Sequence, residues 1–178
     1  NEAYCSTGSC TWPQPRVMDM FTKRMRRQVP RAYFASNPCR IRCYTQDIVI
    51  MREDLLSLMR RNTVVPPNTV DEPNMHVHLT TTVLEQGTLM PLKQTVAPVF
   101  WQYGHAMHLF PSPDVLILAD KHSPYMSTHE HQDSRAAGGA HTEHTLCFNP
   151  GPFQADLSFM VYRPATREAE FSRCGGSD

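Results

Sequence analysis

The chain has 178 residues, in which 17 Lys and Arg offset 17 Asp and Glu. That length suits one domain or a piece of a larger one, and a formal net charge of zero leaves the distribution of charge, not its sign, to carry information. No apolar run approaches the ~20 residues needed to cross a bilayer, and the first residues lack the cationic start and apolar core of a secretory leader, so the chain reads as soluble.

Asn1 stands where an initiator Met is expected, which predicts a truncated or processed chain. Residues 1–15 mix small and polar side chains with Pro13 and Pro15 and read as an irregular lead-in. Val17 to Gln28 predicts an amphipathic helix: Met18, Phe21 and Met25 share one face, and Lys23, Arg24, Arg26 and Arg27 mostly take the other. Pro30 ends it. Cys39 to Tyr44 alternates and Asp47 to Met51 is β-branched, so a hairpin turning at Thr45-Gln46 is expected.

Arg52 to Asn62 has acids at its start and arginines at its end, the order a helix dipole favours, with Leu55, Leu56 and Met59 as the buried stripe. Pro66-Pro67 marks a loop. A further helix is expected over His76 to Gln86, closed by Gly87. Val96 to Trp101 is a strand candidate, and Tyr103 to Leu109 a short turn or helix. Val115 to Leu118 is an unbroken aliphatic run, which suits a strand covered on both faces. It stops in Asp120-Lys121-His122, at the strand end where α/β folds handle ligands. Ser127 to Thr145 reads as a long, flexible polar loop with four histidines. Cys147-Phe148-Asn149 reads as the end of a second buried strand, broken by Pro150-Gly151-Pro152. Leu157 to Tyr162 and Ala169 to Cys174 supply the last strands. Helices alternating with strands, then strands together, predict a layered α/β sheet with flanking helices.

Six cysteines form no dense framework: Cys39 and Cys43 share the hairpin, Cys147 belongs to a core strand, and Cys5, Cys10 and Cys174 fall near the ends. Reduced thiols are expected. Charge is concentrated between Arg16 and Arg61, where eleven basic residues face only Asp19, Asp47, Glu53 and Asp54. A solvated helix face accounts for this as well as contact with DNA phosphate or an acidic partner does.

The histidines are spaced two or three apart (His76 and His78, His129 and His131, His141 and His144), a pattern that can bind zinc. Structural zinc sites, however, usually recruit regular thiolate pairs, and Cys39-x-x-x-Cys43 has no second pair. No Gly-x-Ser-x-Gly elbow exists for a serine nucleophile, and Cys147 reads as core. No helix-turn-helix, ribonucleoprotein or finger motif is present.

A longer set of segments resembles a known family. Asn37-Pro-Cys-Arg-Ile, Tyr44-Thr-Gln-Asp-Ile, Arg52-Glu-Asp-Leu, Met59-Arg-Arg-Asn, Leu84 to Leu92, Pro98-Val-Phe-Trp, Pro113 to Lys121 and Asn149-Pro-Gly occur in one order. From Trp12 to Phe171 the chain is similar to the carboxy-terminal part of the second (B) subunits of DNA polymerase epsilon, within the DNA polymerase alpha/delta/epsilon B-subunit family. The resemblance implies a degenerate calcineurin-like metallophosphoesterase domain over residues 16–178. It also implies an accessory role without catalysis, binding to the carboxy-terminal domain of the catalytic subunit, and a place in nuclear DNA replication. Active phosphoesterases gather Asp, His and Asn around two metals about 3.5–4 Å apart, one group coming from a Gly-His-x-His turn. The resemblance aligns His122 with the second histidine of that turn, puts Asp120 in place of the first, and sets Lys121 beside the site, where a cation opposes metal binding. This chain departs from the family in having His122 where an aromatic residue is usual, and Pro152 where Ser is usual.

No residue is therefore expected to carry a catalytic, cofactor-binding or metal role, and no cofactor is expected. Two alternatives remain: a residual metal-dependent phosphodiesterase or exonuclease relying on His122, and a DNA-binding module using residues 16–61. Arg24, Arg27, Trp101 and Tyr103 are the candidate partner contacts, because Arg and aromatic side chains dominate interface energetics.

Overall fold

β-Branched and aliphatic runs with no charge inside them pair most stably when sheet neighbours cover their backbone groups. A computed structural model describes residues 11–67, 74–133 and 141–175, leaving aside the side chains of 131–133, 141–143 and 156. It shows a mixed α/β architecture. Strands β1 (Cys39–Cys43), β2 (Gln46–Arg52), β3 (Val115–Ala119), β4 (Tyr125–Asp133) and β5 (His141–Asn149) form one sheet in the order β1-β2-β3-β5-β4. The central three strands run parallel, while β1 and β4 pair antiparallel at the edges. A separate hairpin joins β6 (Ser158–Arg163) to β7 (Glu168–Arg173).

Register gathers the core on one face. Val49 pairs with Leu116 and Leu116 with Cys147, while Met51 pairs with Leu118; all five are buried. They join one cluster with Leu55, Leu79, Val83, Leu89, Met107 and Trp12. The other face carries Ile48, Ile50, Ile117 and Leu146, each half-buried, beside buried Val115 and Phe148. The β6–β7 hairpin is fastened to the sheet through Gln46, which accepts from Tyr162 Oη at 2.9 Å and donates to the Pro164 carbonyl at 2.8 Å.

The helices are α1 (Asp19–Gln28), α2 (Leu55–Asn62), α3 (Met75–Glu85) and the single turn α4 (Phe153–Asp156). Asp54 caps α2 by accepting from the Ser57 N–H at 3.2 Å, so this helix starts three residues later than its sequence suggests. Gly87, at φ +61°, follows α3 in the left-handed conformation glycine tolerates. Thr80 of α3 meets Ser127 of β4 at 3.2 Å between their hydroxyls, and His76 stacks on Tyr125 with centroids 4.8 Å apart.

Four expectations need correction. The β1–β2 turn is Tyr44-Thr45, with Tyr44 at φ +55°, because Gln46 already pairs with Cys43. Val96 to Trp101 is not a strand: Pro98 has no N–H to give a ladder, and only Val99 bridges, to Trp12. That bridge also shows that the lead-in is not wholly irregular: buried Trp12 donates to the Pro98 carbonyl, and its own carbonyl accepts from the Phe100 N–H. Residues 1–10 of the lead-in lie outside the described residues. Trp101–Met107 forms a 3-10 helix. Finally, most of the expected loop from Ser127 to Thr145 is β4 paired with β5, in register from Tyr125↔Asn149 to Asp133↔His141; residues 134–140 lie outside the described residues. Backbone pairing along an existing edge outweighs polar composition there, which signals exposure rather than absence of strand.

Candidate functional site

Three parallel strands end on the same edge of the sheet, so the turns after β2, β3 and β5 converge. They bring together Asp54 and Ser57 at the start of α2, Asp120, Lys121 and His122 after β3, and Asn149 at the end of β5.

Asn149 is fully buried and organises the group. Its side-chain carbonyl accepts from the N–H groups of Gly151 (3.0 Å) and Asp120 (3.4 Å). Its amide nitrogen donates to Asp120 Oδ1 and to the His122 carbonyl, the latter at 3.1 Å. Asp120 Oδ1 also accepts from the His122 backbone N–H at 2.8 Å, while its Oδ2 is buried without a hydrogen-bond partner. The bend beyond β5 is tight. Gly151 sits at φ +77°, and a Cβ there would lie 2.7 Å from Pro124 Cγ.

Asp54 is the second centre. Its Oδ2 lies 2.9 Å from Lys121 Nζ and its Oδ1 lies 3.0 Å from His122 Nε2, which is also 3.2 Å from Ser57 Oγ. An ionised carboxylate only accepts, so Nε2 carries a proton when it bonds Asp54. A nitrogen used in this way has no lone pair for a metal or for a substrate proton. Both oxygens of Asp54 already accept from within the chain, Oδ1 from Ser57 and His122 and Oδ2 from Lys121.

The two carboxylates are shifted in opposite directions from the ordinary Asp value. Burial raises Asp54, but hydrogen bonds from Lys121, Ser57 and His122 outweigh it and hold the group at about 2. Burial pushes Asp120 up, the nearby charge of Asp54 adds to this, and the bonds from His122 and Asn149 only partly oppose it. Burial also pushes up the Cys147 thiol and the Tyr125 phenol, and the Asp120 charge reinforces both. Cys147 is fully buried, so it is no nucleophile at neutral pH.

The other histidines do not join this group. His76 is stacked on Tyr125, His78 lines a groove between α2 and α3, and His144 Nδ1 lies 3.7 Å from Glu130. His129 lies on β4 opposite Thr145; His131 and His141 lie opposite Glu143 and Asp133. Cys39 and Cys43 end β1 as free thiols. Among the described residues, no three His, Cys, Asp or Glu side chains come together to hold a metal ion, and no helix is long and apolar enough to cross a membrane. Arg24, Arg27, Trp101 and Tyr103 are all exposed, Trp101 at 91%.

Asp54 and Ser57 were invisible as site residues in the sequence, since about 65 positions separate them from His122. The one available signal was the acid beginning α2, which reads as a cap and a dipole partner before it reads as anything else.

Known proteins share this stretch of chain. The family model for the B subunit of DNA polymerase alpha/epsilon matches residues 3–127. The chain is 40% identical over 166 residues to DNA polymerase epsilon subunit 2 of Bos taurus and 39% over 166 to that of Homo sapiens. It is 38% identical over 164 residues to the B subunit of DNA polymerase epsilon from Arabidopsis thaliana. Each alignment takes in 92% of this chain but only 28–29% of the relative, so the chain spans less than a third of the proteins it matches.

Proposed function

Because the chain belongs to the family of DNA polymerase alpha/epsilon B subunits, we propose that it is the carboxy-terminal part of a B subunit of DNA polymerase epsilon. In this reading it acts without catalysis in nuclear DNA replication, holding the catalytic subunit through that subunit's carboxy-terminal domain. The observation that carries the reading is the similarity to B subunits of DNA polymerase epsilon over 92% of the chain; beside it, Asp54 already accepts from Lys121, His122 and Ser57 within the chain. No residue is assigned a catalytic, cofactor or metal-binding role.

Residues 16–178 are proposed to be the closing part of a phosphoesterase-like domain that has lost turnover. The half-buried apolar side chains Ile48, Ile50, Ile117 and Leu146 support this. Parallel strands are ordinarily covered on both faces, and further chain would complete that cover. The competing reading of the basic segment 16–61 is contact with DNA phosphate, which predicts an affinity for duplex DNA that falls steeply with salt.

Co-expression with the carboxy-terminal domain of the catalytic subunit tests the reading. A complex that survives gel filtration, with no hydrolysis of a generic phosphodiester in manganese, is expected. Turnover that disappears on His122→Ala, or failure to form the complex, overturns it.

A further inference from the structure

Helix α1 leaves most of its surface uncovered. Thr22 is its one buried residue, while Phe21 is 63% and Met25 54% exposed. Met18, Phe21 and Met25 follow one another at spacings of three and four, and Val29 extends the stripe beyond the helix. Around it stand Arg16, Lys23, Arg24, Arg26, Arg27 and Arg31, six cations against the single carboxylate of Asp19. Asp19 is already paired with Arg26 at 3.0 Å, and Arg26 also lies 5.5 Å from the Phe34 ring centre. The helix thus presents Met and Phe side chains flanked by positive charge that its own segment does not neutralise.

Resting on the accessory-subunit reading above, we infer that α1 is a docking helix for that protein partner, and that it seats in an apolar groove rimmed by Asp and Glu. The charge selects an acidic rim and rejects a basic one. The apolar stripe selects a protein groove over nucleic acid, because phosphate neutralisation gains nothing from burying Met18, Phe21 and Met25. Docking covers both the stripe and the cations in one contact, which neither DNA nor solvent does. Arg24 and Arg27 then act at the rim and Phe21 and Met25 at the centre.

The test measures affinity of the 178-residue chain for the catalytic subunit's carboxy-terminal domain, at two salt concentrations. The variants are Arg24→Glu with Arg27→Glu, and separately Phe21→Ser with Met25→Ser. Since all four residues are exposed, both variants should melt with the parent. Each double variant is expected to bind at least about tenfold more weakly, and the parent, but not the Glu variant, to weaken as salt rises. Parent-like binding by both variants overturns the docking role of α1 while leaving the accessory reading intact. So does loss of duplex DNA binding alone. No binding by the parent chain overturns both.

Discussion

Lys121 places its ammonium 2.9 Å from Asp54 Oδ2, tying the turn after β3 to the cap of α2. The contact joins two chain segments that each end a strand on the same sheet edge, and it makes Asp54 a structural acceptor. Its two partners differ in weight. Lys121 is largely exposed, so its pair is worth only ~0–1 kcal/mol. Loss of Asp54 also removes the α2 cap and leaves His122 Nε2 with Ser57 Oγ as its remaining side-chain partner. We expect Asp54→Ala to lower unfolding free energy by about 2 kcal/mol, and Lys121→Met by less than half of that. Urea denaturation of the two variants checks the ranking.

The same carboxylate sets part of the acid response. Its pKa in the folded protein is depressed to about 2, so its contribution is complete above the ordinary Asp value and fades as pH falls through 2. Between those limits the unfolded chain binds more protons, and stability rises with pH. Asp54→Asn should flatten that part of the stability curve. A carbon-detected titration of Asp54 in Lys121→Met should show its midpoint moving up toward the ordinary range.

Asp120 has the opposite sign. Its folded pKa is raised, so its contribution is present at low pH and is lost as pH climbs through the raised value. Replacing the charge while keeping the acceptor, in Asp120→Asn, should therefore leave stability at neutral pH within about 1 kcal/mol of the parent. Asp120→Ala orphans the His122 N–H and takes one acceptor from the Asn149 amide, which keeps the His122 carbonyl, and should cost about 1–3 kcal/mol. Denaturant curves at neutral and acid pH distinguish the two.

Gly151 and Gly87 make a controlled comparison. Both have positive φ, but a Cβ at Gly151 meets Pro124 while one at Gly87 meets nothing within 4 Å. Gly87→Ala should cost about 1 kcal/mol for backbone strain alone. Gly151→Ala adds a steric clash and should cost about 2–4 kcal/mol. Thermal melting of both variants is sufficient.

Thiol reactivity should follow burial. Cys174 is exposed, Cys39 and Cys43 are intermediate, and Cys147 is buried with its thiol pushed up. Among these four cysteines, iodoacetamide followed by peptide mass spectrometry should label Cys174 first, and Cys147 only after denaturation.

Much of this was legible in the chain. The aliphatic run at Val115 to Leu118 and the helix ahead of Gly87 were set by local pattern, and both stand where the pattern placed them. The misplaced elements share a cause that lies outside any local window. Val96 to Trp101 has strand composition, yet only the distant Trp12 is there to pair with Val99. His129 and His144 have loop-like neighbours, yet the edge of β3 gives β5 a template and β5 gives one to β4. The site itself was half visible: Asp120, Lys121, His122 and Asn149 sit beside obvious strand ends. Asp54 and Ser57 reach them only through the parallel crossover from β2 to β3, a long-range fact that spacing does not encode.

The central claim is that His122 and Asp54 satisfy each other and gather no divalent ion. A manganese titration of the isotope-labelled chain, read on the His122 ring resonances, tests it most directly. The expected result is no selective broadening at His122 up to about millimolar ion, the range of weak carboxylate sites. Saturable broadening centred on His122 and Asp120, accompanied by phosphodiester hydrolysis, contradicts it.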